Sequence, residues 1–358
     1  MPLQGVDRDA FVRRIERRRR WASRVCRAGR YLRVMNGPIQ SAVHRATFRS
    51  DAELVAYSYA QTNDHLPDLD RPVWFNEKVR WQFLNHPNPL MTLAAEKIAV
   101  RQYLRFKGAR ILPPRLYAPF DDPGEIAGFD FPARFALKSA FGTGQNHLED
   151  GSRITPRAEL AREAASWLSW DQWRCTGEFH YRGQPRRWLV EEFLPSRHGQ
   201  VEYKIFCMMG RPVFILVITS RTGANDYRRR IYDCDWKPAG FHWLGSEPET
   251  SPLPRPADLD LMLAEAARLS GDFMHVRVDF LRCDERLVFS ELTFASNAAR
   301  IPLTPLDANV TLGEMIDLDR ADEYLERGRE IARRLGWPVD PAREGAIPLD
   351  DRLQVATG

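Results

Sequence analysis

The chain has 358 residues, 44% of them hydrophobic and 28% charged, with a net charge of +4. That length allows two or three lobes around a sizeable core, and no apolar run approaches the roughly 20 residues that span a bilayer. No apolar segment of signal-peptide type follows the basic start, and Cys26, Cys175, Cys207, Cys234 and Cys283 are scattered without a C-x-x-C pair, so a reducing cytoplasm is expected rather than secretion, zinc binding or dithiol chemistry.

Taken in chain order, the first element carries the charge asymmetry. Residues 1–34 hold eleven Arg against Asp7, Asp9 and Glu16, a local +8 that leaves −4 for the remainder. Arg13 to Trp21, continuing through Tyr31 to Met35, reads as a basic amphipathic helix drawn to anionic lipid, with each basic residue near the surface contributing about 1 kcal/mol. A solvated, partly disordered leader is the plainer reading and is placed ahead of it. A nucleic-acid arm is not expected, because no basic groove interleaved with aromatics follows. Residues 1–70 are thus taken as a basic, largely helical extension, with a helix over Ala52 to Tyr59 and a polar loop over Thr62 to Pro72. A helical region over 71–130 follows, with helices at Asn76 to Leu84, capped by Asn76, and at Leu90 to Phe106, ended by Gly108. Pro113-Pro114 breaks the chain. A short strand, Phe135 to Ser139, leads into Gly142-Thr143-Gly144-Gln-Asn, and Pro156 to Trp173 returns to helix. Arg187 to Leu194, Tyr203 to Met209 and Val213 to Ser220 read as strands, the last two forming a hairpin about Gly210-Arg-Pro. A helix over Asp258 to Leu269 precedes a final pair of strands, and the tail beyond Asp340 reads as irregular. Strands linked mostly by hairpins and interspersed with helices predict an α+β fold with antiparallel sheets.

The final pair, His275 to Phe280 and Phe289 to Phe294, flanks a polar Asp284-Glu285 centre. Period-two alternation turns Val276, Val278, Phe280, Leu292 and Phe294 inward and Arg277, Asp279, Glu291 and Thr293 outward. A three- or five-residue loop sets Asp279 opposite Glu291 and Arg277 opposite Thr293, whereas an even loop separates the acids. Two facing carboxylates repel, and hard Mg²⁺ relieves the repulsion while completing its shell with phosphate oxygens. The plainer reading is a solvated face with a salt bridge through Arg277. Lys138 stands before the glycine loop, where an ammonium reaches a nucleotide phosphate and Gly142 and Gly144 admit backbone N–H groups. No Gly-Lys-Ser/Thr follows, so this is not a Walker A loop, and a surface turn with one Lys remains the alternative. Glu191-Glu192-Phe193-Leu194, read as an edge strand, offers backbone groups to an adenine edge, or is an edge blunted by charge. Lys204 alternates outward towards a γ-phosphate, or into solvent.

Together these features resemble the ATP-grasp superfamily. The resemblance is closer to its teichuronopeptide-biosynthesis (TupA-like) branch, in Phe75-Asn-Glu-Lys78, Ala95-Glu-Lys97-Ile-Ala-Val-Arg101, Phe135-Ala-Leu-Lys138, Val190-Glu-Glu-Phe-Leu194, Tyr203-Lys-Ile-Phe-Cys207, Ile231-Tyr-Asp-Cys-Asp-Trp236, Val276-Arg-Val-Asp-Phe280 and Glu291-Leu-Thr-Phe294. It implies a small lobe over 131–200 and a large lobe over 201–320 that grip ATP between antiparallel sheets, followed by a C-terminal helix and tail over 321–358. By position, Lys97 and Lys138 would contact ATP phosphates, and the loop from Gly142 through Thr143 and Gly144 to Asn146 would close over them. Glu191, Glu192, Phe193 and Leu194 would form the adenine hinge, and Glu202 would meet the ribose. Asp279 and Glu291 would bind Mg²⁺, and Lys204, Arg277 and Arg229 would meet the γ-phosphate or an acyl-phosphate. The superfamily's usual Asn two residues after the metal-binding Glu is Thr293 here, with Asn297 as a substitute. The implied reaction is ATP-dependent ligation of a carboxylate and an amine in surface-polysaccharide biosynthesis, on a substrate such as a uronic acid that is joined to an amino acid. A lipid-linked glycan at the inner membrane face would give the basic segment a role. A phosphotransferase, a glycosyltransferase and a non-catalytic nucleotide-binding module are the competing readings.

Overall fold

Period-two alternation builds two antiparallel sheets in the computed structural model, which describes residues 5–31, 37–169, 171–196, 199–219, 228–246 and 251–340. The helices are α1 (Arg8–Tyr31), α2 (Gly37–Thr47), α3 (Asp51–Ala60), α4 (Phe75–Asn85), α5 (Pro89–Ala95), α6 (Val100–Lys107), α7 (Arg157–Ser166), α8 (Gln172–Thr176), α9 (Leu259–Ser270), α10 (Asp307–Glu314) and α11 (Ala321–Arg334). The strands are β1 (Leu116–Phe120), β2 (Phe135–Ser139), β3 (Asn146–Glu149), β4 (Trp188–Glu192), β5 (Gln200–Met208), β6 (Arg211–Thr219), β7 (Arg228–Asp233), β8 (His242–Trp243), β9 (His275–Cys283), β10 (Arg286–Thr293) and β11 (Leu303–Thr304). One sheet runs β1-β4-β2-β3, a second runs β10-β9-β5-β6-β7, and β11 pairs with β8. The expected α+β class is observed. The expected irregular tail beyond Asp340 and the strand end at Ser220 lie outside the described residues.

The five-stranded sheet has two unlike faces. Ile205, Cys207, Val276, Val278 and Phe280 pack on helix residues Tyr103, Met262, Leu269 and Ile331, where each fully buried aliphatic or aromatic side chain contributes about 1.5–3 kcal/mol. The opposite face carries Lys204, Arg277 and Asp279 at mid-strand. Farther along it, Phe206, Met208 and Phe214 meet Phe75, Val79 and Trp243. In the four-stranded sheet, Phe135, Leu137, Trp188 and Val190 cover Ile126 and Leu160, leaving Lys138, Leu189 and Glu191 on the face beside Ile98 and Ala140.

Several sequence expectations are corrected. Leu90 to Phe106 is two helices: Glu96 leaves the helical region (φ −90°, ψ 124°), and its carboxylate accepts from the backbone N of Ile98 at 3.1 Å and of Ala99 at 2.5 Å. Lys97 therefore sits in the break between them. Asn76 is not the cap of α4, since Glu77 accepts from the N–H of Val73 and Trp74 while the Asn76 amide donates to the Ile301 carbonyl at 2.8 Å. The helix expected to reach Trp173 ends at Ser166. The strand containing Glu191 is not an edge strand, because β4 lies between β1 and β2. The described part of the basic segment is not a solvated leader either. α1 docks through Phe11 and Ile15 onto Ala56 and Tyr57 of α3, and Arg18 pairs with Glu53 at 2.9 Å.

Candidate functional site

The β9–β10 hairpin reaches the expected pairing by an unexpected route. Its turn is the two-residue Asp284-Glu285, with Cys283 opposite Arg286 and Phe280 opposite Phe289. An even turn alone would set Ser290 against Asp279. A β-bulge takes up exposed Ser290 instead, so Glu291 faces Asp279 and Thr293 faces Arg277. One extra residue on one strand restores the odd count.

That face is buried, not solvated: Asp279 is 1% exposed. Arg277 grips it bidentately, Nε to Oδ1 at 2.7 Å and Nη2 to Oδ2 at 2.6 Å, and Lys204 Nζ donates to Oδ2 at 2.9 Å. Burial pushes the Asp279 carboxyl upward, but the charges of Arg277 and Lys204 outweigh it and hold the group below the usual carboxylate range. Arg277 also donates to Ser296 Oγ at 2.9 Å and Thr293 Oγ1 at 3.0 Å, and its Nη2 lies 3.5 Å from Glu291 Oε1. Thr293 Oγ1 in turn donates to Glu291 Oε1 at 3.1 Å. Lys204 also pairs with Glu202 at 2.7 Å. Asn297 is exposed and held in the left-handed region (φ 49°).

On the smaller sheet, Lys138 Nζ donates to Glu191 Oε1 at 2.6 Å, and Arg101 Nη2 donates to Oε2 at 2.9 Å. Lys97 Nζ donates to the Gly142 carbonyl at 2.5 Å. Burial lowers the Lys97 pKa, against the opposing charge of Glu291 from the other sheet. The glycine loop is tied at its base, where Ser139 Oγ meets Gln145 Oε1 at 2.6 Å. Gly144 takes φ +71°, which a side chain would resist. The backbone N–H of Glu192 donates to the Arg115 carbonyl at 2.8 Å, its carboxylate accepts from Arg286 Nη2 at 2.9 Å, and the Glu191 side chain is taken by Lys138 and Arg101. Phe193 and Leu194 lie past the strand end. The Arg134 guanidinium sits 5.1 Å from the Phe193 ring centroid, and Leu194 packs with Cys283 and Val288 at the hairpin turn.

A cavity of about 440 Å³ joins the two halves, within the usual range for small-ligand sites. Thr143 of the glycine loop lines it together with Lys204, Arg229, Arg277, Glu291 and Asn297. The other expected site residues, Lys97, Lys138, Gly142, Gly144, Glu191 to Leu194, Glu202 and Asp279, stand outside its wall. The lining residues that were not anticipated include Glu178, Tyr181, Ser296 and Arg300. Glu178 and Tyr181 come from an irregular stretch after α8 that has no periodicity to mark it, and only a left-handed Gly177 signals the turn that aims them.

The sequence profile of the TupA-like ATP-grasp family matches residues 77–317. The chain belongs to that family. Solved structures with a similar course include the ATP-grasp ligase PsnB complexed with a minimal precursor, at 13% identity over 70% of this chain and 67% of that one, TM-score 0.35. D-alanine–D-alanine ligase from Bacillus anthracis complexed with ATP is another, at 14% identity over 68% of each chain, TM-score 0.32. A RimK domain ATP-grasp protein from Sphaerobacter thermophilus matches at 14% identity over 66% of this chain and 69% of that one, TM-score 0.33. No curated protein matches.

ATP-grasp enzymes use ATP with Mg²⁺, and the donor set of this TupA-like chain suits a hard cation. The Asp279 and Glu291 carboxylates, the Thr293 hydroxyl and the Asn297 amide all offer oxygen, and Glu291 is the open member, with its side chain 39% exposed. Among the described residues no three His, Cys, Asp or Glu side chains gather to hold a metal unaided. No helix among the described residues is long and apolar enough to cross a membrane.

Proposed function

We propose that this TupA-like ATP-grasp protein is an ATP-dependent carboxylate–amine ligase that joins an amino acid or other amine to a uronic acid or related group in surface-polysaccharide biosynthesis. The observation that carries the reading is the shared cavity, lined by Thr143 of the loop between β2 and β3 together with Lys204, Arg277 and Glu291 of the larger sheet. Phosphoryl transfer to a carboxylate needs positioning and charge neutralisation more than a protein nucleophile. Arg277, Lys204 and Arg229 would neutralise the transferred phosphate, with Lys97 and Lys138 on the preceding phosphates beneath the glycine loop. Phe193 and Leu194 would supply the adenine hinge, with Glu191 and Glu192 bracing it, and Glu202 would face the ribose. Asp279 and Glu291, with Asn297 near them, would hold Mg²⁺, which supplies charge neutralisation at the phosphates. We draw the small lobe from 116 rather than 131, since β1 belongs to its sheet. Substrate dependence tests the ligation: ADP release that requires a carboxylate and an amine together supports it, and ADP release with a hydroxyl acceptor alone overturns it.

A role at an anionic membrane face is supported by α1. Arg13, Arg17, Arg20 and Arg24 are exposed at helical spacing, and Trp21, 57% exposed, lies among them. A cationic stripe with an interfacial aromatic suits a headgroup layer.

A further inference from the structure

Ligation needs a second substrate pocket, and part of the cavity lining has no ATP-directed role. Glu178 belongs to that part, 4% exposed. Its Oε2 accepts from Gln172 Nε2 at 2.8 Å and Thr176 Oγ1 at 2.7 Å, which leaves Oε1 without a partner among the described residues. Tyr181 lines the same cavity, and its hydroxyl also has no hydrogen-bond partner among the described residues. Burial raises the Tyr181 pKa, the charges of Glu178 and Glu291 add to the rise, and that of Arg277 opposes it. Burial raises the Glu178 pKa, while Gln172, Thr176 and the charges of Arg80 and Arg300 oppose the rise. Arg300 completes the wall. A carboxylate with one open oxygen, a free phenol and a guanidinium in one cavity complement a molecule that carries both an ammonium and a carboxylate.

We infer that this part of the cavity is the amine subsite of the ligase proposed above, and that it takes an α-amino acid: Glu178 seats the ammonium and accepts the proton it must lose, and Arg300 pairs with the carboxylate. The inference rests on the ligase reading. The ammonium gives one proton to the Glu178 carboxylate, and the nitrogen lone pair then forms the C–N bond at the acyl carbon. The acyl C–O bond breaks with its electron pair on phosphate. The second proton leaves nitrogen for that phosphate, so the products are amide and hydrogen phosphate. A carboxyl whose pKa burial raises is the better proton acceptor for this transfer.

The test uses the full chain with ATP, Mg²⁺ and D-glucuronate. The amine is either one of the twenty L-amino acids or hydroxylamine, which traps an acyl-phosphate while uncharged at neutral pH and so has no ammonium to seat. Glu178→Gln is expected to raise the amino-acid KM at least tenfold and lower the ratio of amide to hydroxamate at least tenfold. Tyr181→Phe shifts the same ratio less. Arg300→Gln raises KM for the amino acid and not for its amide. Equal loss of both products in Glu178→Gln with an unchanged KM makes the residue a structural brace and overturns the inference. If the wild type yields neither product, the ligase reading fails for this carboxylate. The subsite is then judged by calorimetric titration of the amino acids onto the protein holding the β,γ-imido analogue of ATP: weaker binding to Glu178→Gln supports it, and no binding, or equal binding to both proteins, overturns it.

Discussion

Asp279 and Glu291 face each other across one hairpin but live in different dielectric surroundings, and this separates what each contributes. Asp279 is enclosed by Arg277 and Lys204. Removing one partner of such a buried group costs about 3–5 kcal/mol, because the cations left behind are uncompensated. Asp279→Asn is therefore expected to lower the unfolding free energy by that amount in urea titration. Glu291→Gln, at a partly open site, is expected to change it by less than about 1 kcal/mol while abolishing ATP turnover. Equal destabilisation by both would contradict this division. The pH dependence has a defined sign. The folded pKa of Asp279 lies below its unfolded value, so its contribution is complete above the usual carboxylate range and is lost as pH falls through the depressed pKa. At this scale the sequence was informative about residue type and order. It was not informative about Glu178, whose neighbours Gln172 and Thr176 are brought to it by an irregular turn, nor about the side-chain commitment of Glu191, which depends on Arg101 and Lys138 arriving from separate elements.

Elements were legible where one face is apolar and the other polar, and misread where tertiary contacts decide the boundary. The strand containing Asp279 was found from its alternation, yet its polar face is buried because Arg277 and, from the paired β5, Lys204 enclose the carboxylate. The hairpin register was anticipated, but from an odd loop. The bulge at Ser290 has no local sequence mark, since Ser is compatible with either arrangement. Glu96 broke the long helix expected over Leu90 to Phe106 through a side-chain cap that propensity alone does not reveal. Close approach between elements is similarly silent in sequence. A Cβ added to Gly313 of α10 would stand 2.1 Å from the Val73 carbonyl and 3.0 Å from the Phe75 nitrogen, so the backbone itself would have to move. Overpacking of this kind costs about 1–3 kcal/mol. Gly313→Ala should lower the melting temperature by several degrees, as read by calorimetry, and an unchanged transition would show that α10 is free to shift away from α4.

At the scale of the molecule, the five-stranded sheet and the glycine loop of the other sheet line one cavity, and a basic helix docks on α3. The charge asymmetry was plain in the composition, whereas the docking was not, because Phe11 and Ile15 are too few to stand out among eleven Arg. Reversing charge at Arg17, Arg20 and Arg24 leaves those apolar contacts in place. At about 1 kcal/mol per cation, the triple Glu variant should bind phosphatidylserine vesicles at least about a hundredfold more weakly in co-sedimentation. Unchanged binding would remove the membrane role. The central claim is ligation through an acyl-phosphate, and isotope transfer tests it most directly. With ATP, Mg²⁺, an amino acid and glucuronate labelled with heavy oxygen in its carboxylate, the account predicts ADP release only when both substrates are present, with one labelled oxygen in the phosphate set free. Unlabelled phosphate, or a phosphate retained on a hydroxyl acceptor, would contradict it.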